Sequence, residues 1–126
     1  MGFKGYRDLM VWQAAMDLTV EVYRLTTTFP AYERYGLTSQ LRRAAISIAS
    51  NIAEGHGRTH RGEYLPHLSI ARGSTMEVET QLTVAEYLGY TDVESLAVAR
   101  ERCDAICRML TQLKRALAKK GRAGDK

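Results

Sequence analysis

The chain has 126 residues, of which 45% are hydrophobic and 25% charged, with a formal net charge of +4. That length and mix are those of one globular domain able to bury a core without disulfide staples. No apolar run reaches about 18 residues, which excludes a membrane-spanning helix, and the start of the chain lacks the apolar core of a secretory signal, so the expectation is a cytoplasmic protein. The Met1-Gly2 start is a weak myristoylation cue, because Tyr6 stands where Ser or Thr is wanted. A moderately basic chain permits a polyanionic partner without requiring one.

Only Pro30 and Pro66 interrupt the sequence, which favours long helices over short strands. The first helix is expected over about residues 8–28, with Asp8 as N-cap. It carries two apolar stripes. Leu9, Trp12, Met16, Thr19 and Tyr23 form one; Val11, Ala15, Leu18, Val22, Leu25 and Phe29 form the other. One stripe packs a helix into a bundle. Two make a wide face, so Trp12, Met16 and Tyr23 are candidates for a subunit contact, against the alternative of one large internal face.

The second helix is expected over about residues 37–54, capped by Thr38 or Ser39. Leu41, Ala45, Ile48 and Ile52 fall on one face at steps of three and four, and Ala44, Ser47, Ala49 and Ser50 keep the others thin. Gly55 and Gly57 are read as its end, and residues 55–62 as the following loop. The third helix covers about 61–88, with Pro66 expected to make its start irregular or kinked. Its stripe is Leu68, Ala71, Thr75, Val78, Leu82 and Ala85, with Glu77, Glu79 and Glu86 on the solvated side. Gly73-Ser74 inside it reads as a small pair permitting close packing. Thr91 or Asp92 caps the fourth helix, about 92–119, whose Leu96, Ala99, Cys103, Ile106, Leu110, Leu113 and Leu117 form a heptad seam. Residues 120–126 read as a basic, frayed tail. Four helices with short connections predict an all-α fold, an antiparallel up-down-up-down four-helix bundle in a single domain.

Catalytic chemistry finds little support. His56/His60 and Cys103/Cys107 have the donor types for zinc, but the histidines fall in a glycine-rich loop and Cys103 sits on the apolar seam. Glu77 and Glu79 are two apart and do not face each other. Gly55-His56-Gly57 lacks the strand, lysine and hydroxyl of a phosphate loop. The reading is a non-enzymatic protein without metal or cofactor. The basic residues remain: Arg42 and Arg43 in helix two, Arg58 and Arg61 beyond its end, and Arg108, Lys114, Arg115, Lys119 and Lys120 in helix four. Arginine forks suit phosphate. Against that stand ion pairing of Arg42 and Arg43 to Glu77, Glu79 or Glu101, and macrodipole complementation by the helix-four cations.

Three stretches carry a resemblance: residues 8–18, residues 35–45 continuing to 50–55, and residues 70–74 with 77–82. Together they resemble the bacterial family encoded within intervening sequences of 23S rRNA genes, also called S23 ribosomal protein-like. The similarity covers about residues 3–117. Ala49 stands where the family usually has proline, and Pro66 departs from its pattern. The resemblance implies a four-helix bundle that assembles as a homopentamer with a central channel. It also implies kinship with the accessory variability protein of diversity-generating retroelements, which looks like a basic pentamer binding nucleic acid and a reverse transcriptase. Residue by residue, only Arg42, Arg43 and Arg58 carry over as contacts. The function expected is binding of RNA or DNA backbone through a basic surface of a homo-oligomer. The alternative is a protein-interaction scaffold that does not bind nucleic acid.

Overall fold

The computed structural model describes residues 5–57 and 61–124, with side chains for 5–57 and 63–119. A 3₁₀ turn, Tyr6–Asp8, leads into α1 (Met10–Thr26); a second, Ala31–Glu33, leads into α2 (Leu37–His56); α3 (Arg61–Tyr87) and α4 (Val93–Gly124) follow. Among the described residues there is no strand.

Cross-helix contacts set the direction of each pair. Gln40 meets Gln81, Ser47 meets Ser74 and Asn51 meets His67, so α2 and α3 run antiparallel. Arg100 meets Glu86, Arg72 meets Thr111 and Lys114 meets Ser69, so α3 and α4 do too. Thr19 and Arg42 link α1 to α2 in the same sense. Each helix packs closely on its two neighbours, α2 and α3 most closely, and α1/α3 and α2/α4 lie diagonally across the shared core. This is the up-down-up-down bundle that the apolar periodicity predicts.

The core follows the stripes. Ala15, Leu18 and Val22 of α1 are fully buried, as are Leu41, Ala45, Ile48 and Ile52 of α2 and all six stripe residues of α3. On α4 burial is complete from Leu96 to Leu110 and partial at Leu113 and Leu117. The seam fades there because α1 begins at Met10, level with Met109 and Leu113, so the last turns of α4 have no α1 to pack on. With a rise of about 1.5 Å per residue, α4 is about 48 Å long and α1 about 26 Å.

The helix ends differ from the sequence reading in several places. Asp8 belongs to the first 3₁₀ turn, and the residue flanking α1 is Leu9, with no side-chain cap. The turn is tied on instead by Gln13, whose amide donates to the Arg7 carbonyl at 2.8 Å. Neither Thr38 nor Ser39 caps α2, because both already lie inside it. The cap comes from Glu33, whose Oε1 accepts from the Leu37 N–H at 3.0 Å. Gly36 makes room for it: a Cβ there would sit 2.6 Å from that oxygen. Asp92 does cap α4, accepting from the Ser95 N–H at 2.8 Å. Between α3 and α4, Gly89 at φ +79° lets the Tyr90 N–H reach back to the Ala85 carbonyl and the Gly89 N–H to that of Glu86.

Gly55 does not end α2, which continues to His56. Its missing side chain instead lets α3 close in, since a Cβ would lie 2.8 Å from His67 Cβ and 3.3 Å from the Tyr64 carbonyl. Helix α3 runs through Pro66 without a break. Of the Gly73-Ser74 pair only Ser74 packs closely, 2.9 Å from the Ser47 hydroxyl; Gly73 faces open space. The chain beyond Lys119 is helical to Gly124, as its Ala, Lys and Arg content favours.

Candidate nucleic-acid interface

The double arginine splits. Successive helical residues point about 100° apart, which carries Arg42 to the α1 side of α2 and Arg43 to the α3 side. The Arg42 Nε donates to Thr26 Oγ1 at 2.8 Å, and its guanidinium lies 4.4 Å from the centre of the Tyr23 ring. Arg42 therefore fastens α2 to α1. Arg43 is exposed in a polar groove between α2 and α3, with Gln40, Ser47, Ser74 and Glu77 around it. Among the described residues neither arginine forms an ion pair with Glu77, Glu79 or Glu101; the ion pairs are Arg24–Glu21 and Arg100–Glu86, and His67 Nδ1 lies 3.7 Å from Glu54 Oε2.

Three arginines come together between α3 and α4. A cavity of about 320 Å³ is lined by Arg72, Cys107, Arg108, Thr111, Gln112 and Arg115. Arg72 donates to Thr111 Oγ1 at 3.3 Å, and Lys114 Nζ to Ser69 Oγ at 3.2 Å beside it. No carboxylate lines the cavity. Further along the same helix pair, burial and the neighbouring Asp104 raise the Glu79 carboxyl above its ordinary range, against the pull of Arg100 and Arg72. The antiparallel hairpin brings Arg72, absent from the sequence candidates, opposite the α4 stripe. Arg108, Gln112, Arg115 and Lys119 recur at i, i+4, i+7 and i+11, a spacing visible in the sequence. Lys119 is exposed one turn beyond Arg115. Arg61 is the first residue of α3, and its side chain and that of Lys120 lie outside the described residues, as does Arg58 altogether.

The sequence matches the family description "23S rRNA-intervening sequence protein" over residues 7–112. The chain belongs to the 23S rRNA-intervening sequence protein family. Among solved structures, a protein of unknown function from the S23 ribosomal protein family of Bacteroides thetaiotaomicron VPI-5482 has the same fold. Its TM-score is 0.74 at 20% identity, covering 82% of this chain and 97% of that one. A search of curated proteins finds no match.

In this 23S rRNA-intervening sequence protein the α1 stripe of Leu9, Trp12, Met16, Thr19 and Tyr23 lies at the edge of the core rather than inside it. Trp12 is half-buried, its ring edge-on to Tyr6 at 5.2 Å, and Met16 and Tyr23 are 39% and 40% exposed. Ile46 of α2, also exposed, extends the patch. A depression of about 290 Å³ runs between them over the small residues Ala49, Ser50 and Ala53. The wide α1 face thus divides into a core half and a surface half.

The histidine and cysteine pairs do not converge. His56 is on α2 and the cysteines are on α4, diagonally across the bundle. His56 Nδ1 is 3.1 Å from the Tyr64 hydroxyl, and His67 Nδ1 is 3.1 Å from Asn51 Oδ1, so both histidines serve the α2–α3 seam. His60 lies outside the described residues. Burial pushes the Cys103 thiol up to about 12 and raises Cys107 as well. No group of three metal-ligating side chains forms among the described residues, and no helix there is long and apolar enough to cross a membrane.

Proposed function

We propose that this protein is a non-enzymatic, cytoplasmic homo-oligomer that binds nucleic-acid backbone in the arginine-lined groove between α3 and α4. One observation carries the reading: Arg72, Arg108 and Arg115 surround a single open cavity that no carboxylate lines. Guanidinium groups on facing helices can grip successive phosphates, with Thr111 and Gln112 adding neutral hydrogen bonds. No aromatic ring lines the groove, so recognition is electrostatic and weakly sequence-dependent. The family's rRNA-gene association makes structured RNA the first ligand to try. Exposed Met16, Tyr23 and Ile46 beside the half-buried Trp12 support self-association, a homopentamer being the assembly the family resemblance implies. In a closed ring each groove repeats around the axis and the fields add.

The test is a titration of fluorescent structured RNA, with duplex DNA as control, at low and moderate salt. Binding should weaken steeply with salt. The double variant Arg108→Ala/Arg115→Ala should lower the log–log salt slope by about 1.5 to 2, the loss of two phosphate contacts. An unchanged slope, or no binding at low salt, overturns the reading.

A further inference from the structure

One end of the bundle has a chemistry unlike the rest. The connection after α1 and the turn after α3 meet there, and four of the chain's seven tyrosines gather on them. Tyr90 donates its hydroxyl to Glu33 Oε2 at 2.8 Å, and its ring lies 5.6 Å from Phe29 and 6.3 Å from Tyr32. On the same two connecting segments Tyr35 is 87% exposed, Tyr87 83% and Tyr32 78%, and Leu88 and Val93 add apolar surface. Unlike Phe29 and Tyr90, these five exposed side chains lie outside the core. Arg34 rests 5.5 Å over the Tyr35 ring, so a guanidinium already occupies one of the faces.

The charge here is inverted relative to the whole chain. Residues 29–35 and 87–94 hold three carboxylates, Glu33, Asp92 and Glu94, against one cation, Arg34. Among the described residues none of the three carboxylates is in an ion pair. Arg42 borders the same end, but its guanidinium is held on Tyr23 and Thr26. A surplus of carboxylates repels phosphate, which counts against a base-stacking platform even though tyrosine faces could stack bases. The same surplus attracts cationic side chains, whose guanidinium or ammonium groups are also drawn to tyrosine faces. Tyrosine, with tryptophan and arginine, is enriched among the residues that anchor protein contacts.

We propose that this tyrosine-rich, acidic end is a docking surface for an arginine- and lysine-bearing segment of a protein partner. It is separate from the arginine groove in position and in sign of charge, and either can fail without the other.

The experiment uses the full chain and a fluorescein-labelled nona-arginine peptide, read by anisotropy, with hydrogen-exchange mass spectrometry to locate the contact. Binding should slow exchange in residues 29–35 and 87–94. The triple variant Tyr32→Ala/Tyr35→Ala/Tyr87→Ala, whose circular dichroism should match that of the parent, should bind about tenfold more weakly, as the loss of two or three exposed cation–π contacts implies. Arg108→Ala/Arg115→Ala should leave peptide binding intact. Undiminished affinity in the tyrosine variant would overturn the proposal by reducing the attraction to bulk charge. So would protection elsewhere, or stronger protection of the same residues by a uridine oligonucleotide, which would make the surface a base platform.

Discussion

Two glycines within exposed or interhelical helix positions should respond to the same substitution with opposite signs. At Gly73 an added Cβ meets nothing within 4 Å, on an exposed stretch of α3. Alanine there removes only the conformational penalty of glycine in a helix, so Gly73→Ala should stabilise by about 0.5–1 kcal/mol. At Gly55 the same Cβ would lie 2.8 Å from His67 Cβ, 3.0 Å from Tyr64 Cδ1 and 3.3 Å from the Tyr64 carbonyl. The first and last are a side-chain root and backbone, which yield only if α3 moves. Overpacking of that kind costs about 1–3 kcal/mol, against the same helix gain of up to about 1. Gly55→Ala should therefore destabilise by about 1–2 kcal/mol. The two variants should differ by about 2–3 kcal/mol, or roughly 8–12 °C in Tm for a chain of this size. Thermal and urea melts at one fixed protein concentration measure this, since assembly would shift Tm with concentration. If Gly55→Ala is as stable as the parent, or both variants shift the same way, the close α2–α3 approach is wrong.

Met16→Glu/Ile46→Glu places charge on the exposed half of the α1–α2 face, and the homo-oligomer proposed above should then sediment as smaller species with helicity retained; sedimentation identical to the parent would count against that face as a subunit contact. Glu33 is held below the usual carboxylate range chiefly by the Leu37 N–H and next by the Tyr90 hydroxyl. A lowered folded value means its stabilisation is present above the unfolded value of about 4.5 and is lost as pH falls through the folded one. The Tm difference between parent and Glu33→Gln should accordingly be largest near neutrality and shrink in acid, and a constant difference down to pH 3 counts against the cap. At pH 8 a chromogenic disulfide should titrate Cys107 before Cys103, because the latter is fully buried with its thiol pushed up to about 12; two equal fast phases would contradict the packing.

The fold was legible because the buried residues recur at three and four along each helix, and a stripe such as Leu68, Ala71, Thr75, Val78, Leu82 and Ala85 has one way to hide. The functional side chains were less legible. Arg42 and Arg43 are adjacent in sequence and look like one patch, yet a helix sends neighbours to different faces. Arg72 gains its meaning only when the hairpin sets it against α4. The caps expected for α1 and α2 failed because the residue flanking each helix, Leu9 or Gly36, has no polar side chain, and α2 is capped instead by Glu33 from four residues before Leu37; Asp92, directly beside α4, caps it as expected. Gly55 is the same kind of case, read as a terminator when its role is to let another helix come near.

The carboxylate of Glu33 also constrains how this fold can be rebuilt. One oxygen holds the first turn of α2 and the other holds Tyr90 in the turn after α3. The two connections are therefore a single joint. A residue inserted on either side of that joint would pull Tyr90 off Glu33, and one placed between Glu33 and Gly36 would also strip α2 of its cap. Loop grafts and circular permutations should treat residues 29–36 and 88–92 as a matched set, exchanged together or left alone.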